Sequence, residues 1–189
     1  TLGSLKETRD DILTLEADDT QILTWYVDAA FAVHPDMKSH TGMVFTLGKG
    51  AIISSSTKQK VNARSSTESE LIASDDKLGK IISTKKFMEH QDFKVKVNLI
   101  YQDNTNTMKL QNNGKLSSGK RTRHFDIKLF YITDLISRNE VEVRYCPTDE
   151  MLADYMTKPL VKTKFKLFRD FVMNLSGKHH RIGQQECVG

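Results

Sequence analysis

Ile22-Leu23-Thr24-Trp25-Tyr26-Val27-Asp28-Ala29-Ala30 is the stretch on which the fold turns. Its first six residues are mostly aliphatic, aromatic or β-branched, the composition of a buried strand. Asp28 then interrupts an apolar run that resumes with Ala29, Ala30 and Phe31. A charge in such a setting is costly unless something satisfies it. It is either the first residue of the turn after a strand or a carboxylate placed for use. The chain repeats the device: the strand Val95–Tyr101 runs through Leu99-Ile100-Tyr101 and closes on Gln102-Asp103-Asn104. Two strands that each deliver an Asp point to a shared site, with a metal site among the options.

The elements around these strands follow from pattern: residues 1–20 are polar and acidic, with one short apolar patch, Ile12–Leu15, that reads as a strand of the connector. Gly42–Leu47 and Ala51–Ser54 read as two strands of a hairpin, with Gly48-Lys49-Gly50 as its turn. Residues 65–90 change period. Ser65 with Glu68 and Thr67 with Glu70 are overlapping capping boxes, and Leu71, Ile72, Leu78, Ile81, Ile82 and Phe87 follow at near-helical spacing. A short helix covers 105–111, and the Asn-, Gly- and Ser-rich stretch 111–120 is a loop. A second long helix fits Phe125–Ile136, and Val141–Tyr145 is the last strand. Pro147-Thr148-Asp149 opens a helix that reaches Lys158 and stops at Pro159. A basic amphipathic helix spans 161–175, and the tail from Ser176 has no pattern. Three strands, helix, strand, helices, strand, helix make a mixed α/β domain whose later strands are reached by helical crossovers.

At 189 residues, 38% hydrophobic and 28% charged, the chain is one globular domain with tails. No apolar run approaches the roughly 20 residues that span a bilayer. Its first residues lack the apolar stretch of a signal peptide. Two cysteines, Cys146 and Cys187, make neither a disulfide scaffold nor a Cys-rich zinc site, which points to a reducing, intracellular setting. The net charge of +4 is unevenly spread. Over residues 1–28, Lys6 and Arg9 stand against Glu7, Asp10, Asp11, Glu16, Asp18, Asp19 and Asp28, a balance of −5, so the rest of the chain carries +9. A basic body fits an acidic partner, nucleic acid first, or simply a solvated basic surface.

Two further carboxylates matter only in company. Glu70 in the first turn of its helix reads as a capping-box residue, and Asp154 near the start of a later helix reads as a solvated one. Together with Asp28 and Asp103 they would give four hard oxygen donors at one sheet edge, a set suited to Mg²⁺.

The motifs are specific in combination. Tyr26-Val27-Asp28-Ala29, Ser65-Ser66-Thr67-Glu68-Ser69-Glu70-Leu71-Ile72-Ala73, Tyr101-Gln102-Asp103-Asn104, Lys120-Arg121-Thr122-Arg123-His124-Phe125-Asp126-Ile127 and the run Tyr145–Leu160, with its Leu152-Ala153-Asp154 and Thr157-Lys158-Pro159-Leu160, occur in order. The chain resembles, from residue 1 to 175, the RNase H domain of copia-type LTR retrotransposon Pol polyproteins. The resemblance implies an RNase H-like α/β fold, a five-stranded mixed sheet flanked by helices. It divides residues 1–175 into a connector from the reverse transcriptase region (1–20) and the RNase H domain (21–175), and the patternless tail (176–189) is expected to be disordered. It implies a four-carboxylate site of Asp28, Glu70, Asp103 and Asp154. Glu68 shares the motif with Glu70, and Glu70 fits the pattern better because Leu71, Ile72 and Ala73 follow it. The implied chemistry is two-metal hydrolysis of the RNA strand of RNA/DNA hybrids, with two Mg²⁺ ions about 4 Å apart and Mn²⁺ as a possible substitute. The products would carry a 5′ phosphate and a 3′ hydroxyl. Asp28 would bridge the ions, Glu70 and Asp103 would complete one shell and Asp154 the other.

Binding a hybrid requires phosphate contacts for affinity and 2′-hydroxyl contacts to tell RNA from DNA. Lys120, Arg121 and Arg123 are the phosphate candidates, with Lys58 and Lys60 weaker. Ser66, Asn104 and Thr105 are the hydroxyl candidates, by proximity to the acids. His124, within the family's Arg-His motif, reads as structural or substrate-contacting rather than as a proton carrier. Many cellular RNases H carry a His between the last strand and last helix, and this chain has none there. Asp126 is read as helix N-terminal chemistry. His34, His40, His90, His179 and His180 are read as surface residues. Lys162, Lys164, Lys166 and Arg169 form a basic helix face, read as solvated. The implied partners are the hybrid and the reverse transcriptase domain of the same polyprotein, in cytoplasmic virus-like particles, with no membrane. The competing readings are a non-catalytic hybrid-binding clamp for an attached reverse transcriptase, and an RNase H-fold nuclease acting on double-stranded RNA or DNA junctions.

Overall fold

The computed structural model describes residues 8–114 and 126–175. Its strands are β1 (Glu16–Ala17), β2 (Ile22–Ala30), β3 (His40–Thr46), β4 (Gly48–Lys49), β5 (Ile53–Lys58), β6 (Val97–Gln102) and β7 (Glu142–Tyr145). Its helices are α1 (Ser66–His90), α2 (Thr105–Asn113), α3 (Asp126–Ser137), α4 (Asp154–Thr157) and α5 (Lys162–Met173). The main sheet has the order β5-β3-β2-β6-β7. β2 pairs antiparallel with β3, and β3 with β5, while β6 runs parallel to β2 and β7 parallel to β6. The expected five-stranded mixed sheet flanked by helices is what forms.

β2 is the central strand and is buried on both faces, which explains its near-continuous apolar run. Leu23, Trp25, Val27 and Ala29 face α1 and α3, in a core with Leu71, Leu78, Ile81, Leu129 and Ile132. Trp25 stacks on Phe45 at 4.1 Å between ring centroids, and its indole N–H donates to Asn98 Oδ1 at 2.9 Å. Tyr26 belongs to the opposite face, where a second core gathers Val44, Met151, Leu152, Ala153 and Phe168. Because side chains alternate along a strand, Asp28 emerges on that second face, at the end of the central strand.

α1 starts where the capping box places it: Ser65 Oγ accepts from the Glu68 N–H at 3.1 Å. Three sequence expectations need correction. The turn between β3 and β5 is not a bare hairpin loop, because Gly48–Lys49 forms β4 and pairs with Glu16–Ala17. The strand expected over Ile12–Leu15 is therefore displaced to β1, and Ile12, Leu13 and Leu15 are exposed. The helix expected from Pro147 to Lys158 shrinks to α4. Residues 147–153 instead climb through turns, with Glu150 N–H bonded to Pro147 O and Asp154 N–H to Met151 O. Met151, Leu152 and Ala153 are fully buried, so apolar packing rather than helix propensity shapes this segment.

Candidate active site

Four elements converge at the edge of the sheet where β2 and β6 end. β2 delivers Asp28, the residue after β6 is Asp103, α4 begins at Asp154, and the first turns of α1 carry Glu70. Gly42 makes the approach of α4 possible. It pairs with Asp28 across β2 and β3, and a Cβ there would lie 2.6 Å from Thr157 Cγ2 and 2.7 Å from Ala153 O. Asp28, Asp103 and Asp154 each offer an oxygen, and these atoms all lie within 4.8 Å of one another. Asp28 and Asp154 are buried and Asp103 is half-buried.

Glu70 joins from the other face of β2. Its Oε1 accepts from the Ala29 N–H at 3.2 Å, so it is not the capping-box partner of Thr67. Its Oε2 is buried and has no hydrogen-bond partner among the described residues. Glu68 takes the helix-start position instead, and the open groove of about 570 Å³ beside the aspartates is lined by Glu70 and not by Glu68. Burial, with Asp28 and Asp103 adding like charge, raises the Glu70 carboxyl well above its ordinary value. Burial also raises Asp28, against the opposing pull of Lys158 and of Thr157.

The charge of the cluster is met by two lysines. Lys158 Nζ lies 2.5 Å from Asp154 Oδ1 and 3.4 Å from Asp28 Oδ1. Burial alone would lower its pKa, but Asp28, Asp154 and Asp103 outweigh that and carry it to about 12. Lys164 Nζ lies 3.1 Å from Asp154 Oδ2 and 2.8 Å from Thr148 O, so it is not the solvated residue expected. Two threonines complete the support: Thr157 Oγ1 donates to Asp28 Oδ2, and Thr148 Oγ1 to Asp103 Oδ2 at 3.1 Å. Such contacts fix where a carboxylate points.

Sequence reasoning assigned no role to Thr148, Thr157 or Lys158. Only Lys158 left a local signal, the four-residue spacing from Asp154 within a helical turn. Thr148 and Lys164 meet the acids through tertiary contacts that no pattern announces. Of the hydroxyl candidates, Ser66, Asn104 and Thr105 all line the groove. Asn104 Oδ1 is engaged, capping α2 by accepting from the Asn106 and Thr107 N–H groups. Lys58 pairs with Asp36 at 2.8 Å, away from the groove lining. His34 and His40 are half-buried and hydrogen-bonded to each other at 2.9 Å, whereas His90 is exposed. Lys120, Arg121, Arg123 and His124, like Cys187, the His179-His180 pair and the tail, lie outside the described residues. Asp126 is the first residue of α3, the position expected of it.

Among the described residues no helix is long and apolar enough to cross a membrane. No protein-family model matches the chain. The retrovirus-related Pol polyprotein from transposon TNT 1-94 of Nicotiana tabacum is 33% identical over 172 residues, 90% of this chain and 13% of that protein. The transposon Ty1-NL2 Gag-Pol polyprotein of Saccharomyces cerevisiae is 30% identical over 143 residues, 74% of this chain and 8% of that protein. The chain therefore spans a small part of the length of these curated relatives. Among solved structures, LC11-RNase H1, isolated from compost by a metagenomic approach, matches with a TM-score of 0.54 at 15% identity, over 73% of this chain and 94% of that one. LC11-RNase H1 in complex with an RNA/DNA hybrid matches with a TM-score of 0.51 at 14% identity, over 71% and 93%. At such identities the likeness is one of fold.

Proposed function

The chain belongs to the retrotransposon Pol polyproteins as a segment with the RNase H fold, and from that premise we propose that it is a metal-dependent endoribonuclease cutting the RNA strand of RNA/DNA hybrids. The observation that carries the reading is the convergence of three aspartate oxygens within 4.8 Å at the end of the central strands, with Glu70 beside them. A structural role alone would not gather like charges there, since each raises the free energy of the others.

The residues fit a divalent cation. All four are hard oxygen donors, the class Mg²⁺ and Mn²⁺ prefer. Among the described residues Glu70 Oε2 is a buried acceptor without a donor, which costs about 1–3 kcal/mol unless a cation or proton meets it. Asp28, Glu70, Asp103 and Asp154 would hold two Mg²⁺ ions, which when bound polarise a phosphodiester and lower the pKa of a water. The chain's own residues prepare that chemistry. Thr157 donates to one oxygen of Asp28 and Thr148 to one oxygen of Asp103, which fixes how each carboxylate is turned. Lys158 balances the acids while no divalent ion is present, at 3.4 Å and 2.5 Å from two of them. Ser66, Asn104 and Thr105 rim the groove with polar groups of the kind that meet a ribose 2′-hydroxyl. Lys120, Arg121, Arg123 and His124 remain the candidates for phosphate contact. Hydrolysis would leave a 5′ phosphate and a 3′ hydroxyl.

In the same proposal the chain works beside the reverse transcriptase of a copia-type polyprotein, in cytoplasmic virus-like particles. Residues 1–20 serve as the connector, 21–175 as the catalytic domain and 176–189 as a tail. The test uses one end-labelled sequence as RNA/DNA hybrid, RNA duplex and DNA duplex, with Mg²⁺, with Mn²⁺ and with EDTA. The expected result is cleavage of the hybrid's RNA strand alone, lost with EDTA and with Asp103→Asn. Hybrid binding without cleavage in either metal would replace the enzyme by a clamp. Cleavage of the RNA duplex would move the substrate class.

A further inference from the structure

We propose that Lys164 is a positioning residue for the cation site, one that decides which oxygen Asp154 presents. The inference rests on the reading of the carboxylates as metal ligands and adds a member from outside the motif that carries them. Asp154 has one ammonium on each oxygen: Lys158 at 2.5 Å on Oδ1 and Lys164 at 3.1 Å on Oδ2. The two lysines are not equivalent. Lys158 stands among the acids, since it also reaches Asp28 at 3.4 Å. Lys164 stands behind them. Its other partners are Thr148 O at 2.8 Å, the exposed Asp149 at 3.8 Å and the Phe168 ring at 5.1 Å, none of them a member of the cluster.

The helix that carries Lys164 is rigidly seated. Phe168 is fully buried beneath α5, Phe165 packs on Tyr155 at 5.2 Å between centroids, and Val172 O accepts from the Ala51 N–H at 2.8 Å. The ammonium is thus delivered from a fixed element, not from a free surface side chain. It holds Asp154 Oδ2, while Oδ1 is the oxygen that shares Lys158 with Asp28. It also steadies Asp103 at one remove, because the same Thr148 whose carbonyl it holds donates its hydroxyl to Asp103 Oδ2 at 3.1 Å. One ammonium supports two of the three aspartates.

The sign of the effect separates positioning from charge. If Lys164 acted only as a nearby positive charge, removing it would tighten the binding of another cation, because like charges repel. If it orients the ligand, removing it weakens binding, by roughly 10–100-fold for an outer-shell partner. The experiment is a calorimetric titration of Mg²⁺ and Mn²⁺ into the full metal-free chain, with the melting temperature of each variant measured in EDTA. Lys164→Met is expected to bind either ion about 10–100-fold more weakly. Lys164→Arg, which keeps donors and charge, is expected to recover most of that. Lys166→Met, an exposed change two residues along the same helix, is expected to leave the affinity alone. If Lys164→Met does not fold, Lys164→Gln, which offers one amide donor group in place of the ammonium, is expected to show the same direction of loss. Unchanged or tighter binding in a folded Lys164→Met or Lys164→Gln overturns the assignment while leaving the proposed function standing. A wild-type chain that binds neither ion overturns both.

Discussion

Two segments bring acids to this site, and they are built on opposite principles. α1 is 25 residues long, capped by Ser65, and buries Leu71, Ile72, Leu78 and Ile81. Its form is written in local propensity, and Glu70 rides on it two residues into the buried face. The segment 147–158 has a helix of only four residues with no side-chain cap. It is shaped by the burial of Met151, Leu152 and Ala153, by the missing Cβ of Gly42 and by ion pairs from Lys158 and Lys164. The difference teaches where function is vulnerable. Damage to α1 should appear as lost stability, and damage to 147–158 as lost geometry.

The largest break is at the acid itself. Asp154→Asn keeps the shape but removes a charge from the proposed ligand set. Activity on the hybrid is expected to fall by about 10³-fold or more, the equivalent of several kcal/mol of charge stabilisation. Single-turnover cleavage with melting in parallel measures it. A folded variant with near wild-type cleavage would remove Asp154 from the site.

Gly42→Ala comes next and touches no acid. The new Cβ would meet the side chain of Thr157 and the carbonyl of Ala153 at 2.6 and 2.7 Å, distances at which something must shift. The backbone of α4 is expected to move outward and to carry Asp154 and Thr157 with it. Displacement on the scale of 1 Å can reduce rate by about 10²-fold. The check is the ratio of effects: cleavage should fall further than stability explains. Equal losses in folded fraction and in rate would mean that α4 is merely packed there.

The contrast also explains what was legible in advance. An Asp at the close of an apolar run is visible twice, at Asp28 and Asp103, because the run and the charge are adjacent in sequence. α1 is visible because Ser65, Glu68 and the apolar spacing agree with one another. Residues 147–153 mislead because Pro147-Thr148-Asp149 is a good helix start, whereas three buried apolar residues in a row, Met151 to Ala153, impose turns. The β1–β4 pairing joins Glu16 to Lys49 across a long sequence separation and leaves no local trace. Lys164 looked like one of several lysines on a polar face; only the seating of α5 on Phe168 aims it at Asp154.

Ser65→Ala tests the other half of the comparison. Loss of the cap that Ser65 gives the Glu68 N–H is expected to cost about 1 kcal/mol. For a domain of this size that lowers the melting temperature by about 2–4 °C. Cleavage per folded molecule should stay within twofold, since α1 continues to hold Glu70 by its buried side. A large loss of activity at unchanged stability would place the start of α1 inside the site's geometry and dissolve the contrast.

The smallest effect concerns Glu70 in the absence of metal, and its sign is opposite to intuition for an acid of the proposed ligand set. Burial and the neighbouring aspartates raise its folded-state pKa well above that of the unfolded chain, near 4.3 for Glu. Between those two values the folded protein holds a proton that the unfolded chain has released. Folding stability therefore falls as pH rises through that window, and the full penalty persists above it. Asp28, raised for the same leading reason, adds to the slope. In EDTA, the melting temperature of the wild-type chain is expected to decline from pH 5 toward pH 8. Glu70→Gln, whose amide oxygen can still accept from Ala29, is expected to flatten that decline and to melt about 2–4 °C higher at pH 7.5 for each kcal/mol relieved. Added Mg²⁺ should stabilise the wild-type chain and close the gap to the variant. A Glu70→Gln protein that melts lower in EDTA would show that the carboxylate is held by favourable contacts in the metal-free state. Glu70 would then belong with the structural half of the comparison, built like the helix that carries it.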